Sequence, residues 1–379
     1  MKGHVTKRLR VGVVGTGIIA QVMHLHYLRE LADRFEIAAV CDIVPENARA
    51  CAQRYGSPAA FGDWREMLRQ PLDAVLVLTS GSHASIAIEA AQAGLHVLVE
   101  KPMCFSVDEG LAMVAAAEQA GVTLMVAYPK RYDPAFVRFR QEAVALAGAR
   151  FLRVTTLESP LRPYIGHYPM PAPAPVPPDV ADRLREEVSA SIRSAIGDAD
   201  DFERFIYHGV LLDTLVHELN TIRGVFGDPD RLDYVQLRPD TVTAMLRFGE
   251  LPVAIHWIDL PGIARYEMEF ALYAPHRRVT LSFPSPFLRS APALLAVEGG
   301  EDGTAQSWRT EETVSYESAF KRELVAFHDS VVNDTEPLTT GNDGLADIAL
   351  CQAIIDSYRL GQPVDDPANP TRQRVAATR

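Results

Sequence analysis

Six residues near the start of the chain have the types and spacing to hold a pyrophosphate. Gly15-Thr16-Gly17-Ile18-Ile19-Ala20 is a GxGxxA run that follows an apolar stretch directly and opens a helical pattern. Gly15 permits a tight turn, Gly17 lets backbone approach a phosphate, and Ala20 allows close helix packing, while the free N–H groups of the helix start face the anion. Asp42 ends the next apolar run. It lies roughly 20 residues beyond the turn, where a carboxylate accepts the hydroxyls of an adenosine ribose. An acid at that place favours NAD over NADP, because it repels a 2′-phosphate. The bland alternative for the same residues is a structural strand–helix turn with a capping Asp.

Two further groupings could move protons. Lys101 follows the apolar run 96–100, at the strand end where open α/β sheets bind ligands, and it is bracketed by Glu100 and Pro102. The proline pins the turn, and the carboxylate can hold or tune the ammonium group. Asp213 and His217 stand four apart in a run of helical spacing, 211–225, which predicts that both project from one face together with Asn220. An imidazole beside a carboxylate is an acid–base pair, although a surface pair uses the same spacing. The cysteines, Cys41, Cys51, Cys104 and Cys351, show no CxxC or Cys/His spacing, so neither a disulfide framework nor a metal site is expected.

The elements that must position these residues fall into two grammars. Up to about residue 130, short apolar runs (10–15, 36–42, 73–78, 96–100, 122–127) alternate with helical patterns (21–31, 46–55, 82–93, 107–120). The runs are continuously apolar, as in a parallel sheet covered on both faces, and this predicts a doubly wound Rossmann domain over residues 1–129. From 130 to 340 the runs FLRVTTLE, YVQLRP, TAMLRF, VAIHWIDL, YEMEFALY and RVTLSF alternate with period two. They predict an α+β domain with a large, open, mostly antiparallel sheet, interrupted by helices at 211–225 and 315–332. Residues 341–379 read as a closing helix, 342–360, and a frayed tail. An insertion at 160–205 holds the proline-rich PMPAPAPVPPD and then an amphipathic pattern at 179–196. It reads as a flexible excursion, serving either as a lid or oligomer arm that sets substrate selectivity, or as a plain surface loop.

Composition narrows the class. The 379 residues are 47% hydrophobic and 23% charged, enough to bury two cores, and the net charge of -12 disfavours nucleic acid and anionic membrane surfaces as partners. Lys2, Lys7, Arg8 and Arg10 ahead of an apolar run imitate a secretory signal, but Gly12, Gly15 and Gly17 interrupt that run, so a cytoplasmic protein is expected.

The chemistry-bearing segments together resemble the Gfo/Idh/MocA family of nicotinamide-dependent oxidoreductases, of which glucose-fructose oxidoreductase and inositol 2-dehydrogenase are members. The resemblance rests on GTGIIA, on Asp42, and on the run from Thr79 through His83 to AGLHVLVEKP. It continues through AYPKRYDP (127–134), HGVLLDTLVHELN (208–220) and GLADIALCQAIIDSYRLGQPV (344–364). It implies an NAD-dependent enzyme transferring hydride between the nicotinamide and a secondary hydroxyl or ketone of a cyclitol, sugar or sugar derivative. It adds Thr79, Ser80, His83, Glu100 and Lys101 to the cofactor contacts and implies a cis bond before Pro102. Lys101, Asp213 and His217 match the family's catalytic group, with His217 as base, Lys101 stabilising the alkoxide and Asp213 orienting. Sequence does not choose which of Lys101 and His217 carries the proton.

Substrate contacts implied are Lys130, Arg131, Tyr132, His208 and Asn220, with Tyr164 and His167 at the edge of the insertion. Pro129, the single Gly209 and Asn220 depart from the family's usual asparagine, paired glycines and aspartate, and these departures bear on the substrate rather than the redox group. The resemblance also implies a homodimer or homotetramer, since the open sheet of relatives is covered by another subunit. Two other readings remain within reach of the same fold: an NAD-dependent glycoside hydrolase and a non-catalytic NAD(P)-sensing regulator. Retention of Lys101, Asp213 and His217 together speaks against the regulator.

Overall fold

A strand covered on both faces needs no polar alternation, and the apolar runs of the first third build such a sheet. The computed structural model describes residues 7–361; the first six residues of the basic start and the tail expected beyond Gln362 lie outside it. Its first sheet contains β1 (Leu9–Val14), β2 (Phe35–Cys41), β3 (Ala60–Phe61), β4 (Ala74–Val77), β5 (His96–Glu100) and β6 (Leu124–Ala127). All pairings are parallel, in the order β3-β2-β1-β4-β5-β6. The order reverses between β1 and β4, so the carboxyl ends of these strands border the crevice where such sheets take ligands.

The intervening helices are α1 (Leu25–Glu30), entered through a π-helical turn at Ala20–His24, then α2 (Pro45–Tyr55), α3 (Trp64–Leu68), α4 (Ala84–Gln92) and α5 (Val107–Ala120). The start of α5 is set by a capping box, in which the Ser106 hydroxyl accepts from the Glu109 N–H while the Glu109 carboxylate accepts from the Ser106 N–H.

The chain divides into two compact units. Residues up to Asp133 form the first, together with Tyr164–Ala195 and Glu317–Ile348, and the second holds Pro134–Pro163, Ile196–Tyr316 and the chain from Ala349 onward. The remaining helices are α6 (Pro134–Ala145), α7 (Arg162–Ile165), α8 (Pro178–Ile196), α9 (Asp201–Phe205), α10 (Val216–Phe226), α11 (Ala319–Asn333) and α12 (Gly341–Gly361). The proline-rich excursion is therefore no plain loop. Its amphipathic half is a 19-residue helix, α8, and the segment groups with the first unit.

The second unit is built on an eight-stranded sheet of β7 (Phe151–Glu158), β8 (Arg231–Leu237), β9 (Thr241–Phe248), β10 (Leu251–Asp259), β11 (Glu267–Ala274), β12 (Arg277–Phe283), β13 (Leu294–Gly300) and β14 (Ser307–Thr313). Only β7 and β10 pair in parallel. Period-two alternation does what it predicts along β9, where Val242, Ala244, Leu246 and Phe248 are buried. On the same buried face Phe139 of α6 meets Phe270 of β11, with ring centroids 6.5 Å apart. Strands β13 and β14 carry no such signal. The whole of β14 is exposed, and it is an edge held by its antiparallel ladder to β13.

All four cysteines are buried thiols. Among the described residues, no helix is long and apolar enough to cross a membrane.

The helical run that carries His217 is tied to the sheet by one buried pair: the Thr156 hydroxyl of β7 donates to the fully buried Glu218 carboxylate of α10. Thr156→Val keeps the shape and removes a donor from a buried carboxyl oxygen, which costs about 1–3 kcal/mol. A urea titration should show a lower midpoint with an unchanged slope. An unchanged midpoint would mean that the pair does not hold α10.

Candidate functional site

The phosphate turn is shaped by steric necessity at one glycine and by free space at another. Gly15 sits at φ 94°, and a Cβ there would lie 2.7 Å from the Leu78 carbonyl carbon and oxygen, so only glycine fits. A Cβ on Gly17 would meet nothing within 4 Å. Thr16 is buried while Gly17 and Ile18 are exposed, which turns backbone outward at the start of the first helix. Asp42 staples the turn to the end of β2: Oδ2 accepts from Thr16 N (3.0 Å) and Thr16 Oγ1 (2.5 Å), and Oδ1 accepts from Val44 N (3.0 Å). Asp42 thus has a structural duty in the turn itself. Open backbone at Gly17, a carboxylate at the β2 end and two outward-facing side chains, Ile18 and Ile43, form a donor and surface set that fits a dinucleotide. Residues 15–20 would hold its pyrophosphate and Asp42 its ribose.

At the end of β5 the chain places a buried charge immediately before Lys101. Glu100 is 6% exposed; its Oε1 accepts from His24 Nε2 at 2.7 Å and its Oε2 from the backbone N–H of Lys101 at 3.1 Å. Burial opposes ionisation, but the His24 hydrogen bond, with the charges of His24, Lys101 and His83, outweighs it and holds the carboxyl below its ordinary range. The Lys101–Pro102 peptide is cis. On the far side, the buried His83 ring lies 2.8 Å from both Pro102 O (Nδ1) and Thr79 O (Nε2). Burial pulls the imidazole below its usual value, and the two carbonyls push back. Lys101, itself half-buried, is thus held through its neighbours, by Glu100 before it and His83 behind Pro102. His83 and Glu100 face the chain's own backbone and His24, whereas Ser80 is exposed and Thr79 half-buried.

The second unit arranges its residues differently from the α-helical expectation. Residues Ile206–Leu215 wind as a π-helix, and α10 begins only at Val216, so Asp213 and His217 belong to different windings. The wider turn brings in His208, whose pKa burial lowers and the Asp213 charge raises. His208 and Asp213 are exposed and His217 is half-buried, while Asn220 is fully buried and does not share that outward position.

The AYPKRYDP residues are also less available than the resemblance implies. Lys130 is 6% exposed. The Tyr132 hydroxyl bonds Thr339 Oγ1 at 2.9 Å, burial pushes the phenol well above its ordinary range, and Arg131 pairs with Asp343 at 3.4 Å. Tyr164 is half-buried, and the exposed His167 lies against Tyr168 in a tilted ring contact with centroids 4.1 Å apart.

Two buried residues of this site escaped the sequence reading. His24 closes the apolar face of the first helix, and Glu323 sits within the apolar stripe Phe320, Leu324 and Phe327 of α11. A titratable residue at a core position of an amphipathic pattern was the legible signal for both.

Comparison with known proteins agrees with the Rossmann sheet of the first unit. Residues 9–128 match the GFO_IDH_MocA model, described as an oxidoreductase family with an NAD-binding Rossmann fold. D-apiose dehydrogenase of Paraburkholderia graminis is 28% identical over 377 residues, covering 95% of this chain and 90% of that protein. Inositol 2-dehydrogenase 3 of Saccharopolyspora erythraea is 25% identical over 368 residues, covering 94% and 95%. Among solved structures, levoglucosan dehydrogenase in complex with NADH superposes with a TM-score of 0.72 at 19% identity, covering 93% of this chain and 98% of that one.

Glu323 is the member of the acidic pair whose pKa is pushed upward. Burial first, and then the Glu100 charge, raise its pKa well above the ordinary carboxyl value, against a smaller lowering pull from the Tyr128 backbone. A raised folded pKa contributes stability below the unfolded value and loses it as pH rises towards the folded one. Glu323→Gln keeps the neutral shape and removes that loss. Its melting temperature should exceed that of the parent by a margin that widens as pH rises above the ordinary carboxyl range. A margin independent of pH would rule out a protonated Glu323.

Proposed function

Because residues 9–128 match the NAD-binding model of the GFO_IDH_MocA oxidoreductases and sugar and inositol dehydrogenases align along nearly the whole chain, we propose that it is an NAD-linked dehydrogenase or reductase of the Gfo/Idh/MocA family. Its substrate is a secondary hydroxyl, or the matching ketone, of a cyclitol, sugar or sugar derivative. The substrate class is supported by relatives named for D-apiose and inositol.

The observation that carries the reading is the setting of Lys101. An ammonium group stands at the carboxyl end of a parallel strand in the NAD-binding unit, and the main chain on both sides of it is hydrogen-bonded to buried side chains. Such a group is pre-oriented for a developing negative charge. Bound NAD supplies the two-electron chemistry at its nicotinamide ring.

The chain's own residues do the rest. Lys101 Nζ donates to the reacting oxygen and stabilises the alkoxide as the carbon is oxidised. By its match to the family's pattern, His217 has the part of general base, taking and returning a proton. Asp213 orients the imidazole or the substrate hydroxyl. Asp42 selects NAD, since its carboxylate, already drawn to Thr16, repels a phosphate on the adenosine ribose.

Lys101→Ala tests the assignment. Turnover should fall by about a hundredfold or more, the scale of losing an oxyanion donor, while NADH affinity measured by fluorescence stays within about threefold. A variant with full turnover on the same sugar or cyclitol would remove Lys101 from the chemistry.

A further inference from the structure

The proline-rich segment that follows β7 touches the first unit at successive strand ends. At the start of α2, Asn47 forms a reciprocal pair with the Ala174 backbone: Nδ2 donates to Ala174 O (3.3 Å) and Oδ1 accepts from Ala174 N (2.8 Å). Further along, Val188 of α8 reaches the turn after β4, where a Cβ on Gly81 would lie 3.8 Å from Val188 Cγ2. One turn later the Ser191 hydroxyl donates to Glu109 Oε1 of α5 at 2.7 Å. These anchor points follow the carboxyl ends of β2, β4 and β5, in that order.

In the sheet, β1 lies between β2 and β4. Chain that is fixed near the β2 end at Ala174 and near the β4 end at Val188 must therefore pass the end of β1, where the phosphate turn opens. The span is about 10 Å, two strand spacings. Residues 175–187, largely helical at about 1.5 Å per residue, cover it with length to spare.

Between its anchors the segment carries apolar side chains that the protein leaves uncovered. Val176 is 41% exposed and Leu184 36%, and on the turn beneath, Ile18 is 40% exposed and Ile43 42%. Apolar groups on both sides of an open glycine backbone are what a flat, partly apolar ligand would bury.

We propose that the Tyr164–Ala195 segment is the outer wall of the cofactor site. It closes over the adenosine and pyrophosphate half of the dinucleotide, with Val176 and Leu184 outside and Ile18 and Ile43 inside. The nucleotide leaves only when the strap lifts from Asn47 and Glu109. This rests on the NAD reading above and assigns the insertion to cofactor retention rather than to substrate choice.

The test is the release rate of NADH from the loaded protein, followed by loss of nicotinamide fluorescence after mixing with excess NAD. Asn47→Ala removes both hydrogen bonds of the first anchor, and release should quicken by about tenfold. Leu184→Asp, which spoils the apolar cover, should quicken it as well. In parallel, NADH should protect Arg183 and Arg185 of the strap from trypsin. NADH binding with release from both variants within twofold of the parent, and no protection, would overturn the strap while leaving the NAD reading intact. A protein that binds no NADH would remove that reading and the strap together.

Discussion

The burial of one ionised carboxylate, Glu100, organises the strand ends around Lys101 in the first unit. A charge withdrawn from water costs several kcal/mol unless hydrogen bonds and opposite charge meet it. Here both oxygens are met, one by His24 and one by the Lys101 N–H. Burial, and then the Glu100 charge, push the second acid nearby, Glu323, well above the ordinary carboxyl range. Lys101 is the residue next to this charge in sequence, so the constraint that places Glu100 also places the lysine. His24 ends the π-helical turn that begins at Ala20, which is the last residue of the phosphate turn. The turn suited to a pyrophosphate and the strand end that presents Lys101 are thereby joined through a single buried hydrogen bond.

Side chains acting on backbone recur throughout the site. Asp42 holds the phosphate turn through Thr16, the His83 ring sits between the carbonyls of Thr79 and Pro102, and Glu100 holds the Lys101 N–H. Their main-chain partners Thr16, Thr79 and Lys101 follow three different strands, β1, β4 and β5. A rigid rim of this kind suits chemistry in which a cofactor brings the reactivity and the protein supplies position.

The parts legible in the sequence were those with a steric or periodic cause. Gly15 announces itself because no other residue tolerates its φ and the nearby Leu78 backbone. The strands of the first sheet announce themselves because burial on both faces makes them uniformly apolar. The π windings at Ala20–His24 and Ile206–Leu215 were not legible, since an apolar pattern over so few turns does not separate a period of 3.6 from a slightly longer one. Nor was the seat of the proline-rich segment, because the Asn47–Ala174 pair joins residues far apart in sequence and leaves no local trace. Tyr132 and Lys130 looked like substrate contacts by resemblance, yet their packing gives them structural partners or burial instead.

The central claim, that this chain moves a hydride between a polyol carbon and NAD, is tested most directly by isotope transfer. The protein is incubated with NAD and ring-deuterated cyclitols or sugars, and the nucleotide is recovered and analysed by mass spectrometry. The account predicts a reduced nucleotide one deuterium heavier with at least one such substrate. Tight NAD binding with no label transferred across the whole panel would contradict it and leave a nucleotide-binding protein without redox chemistry.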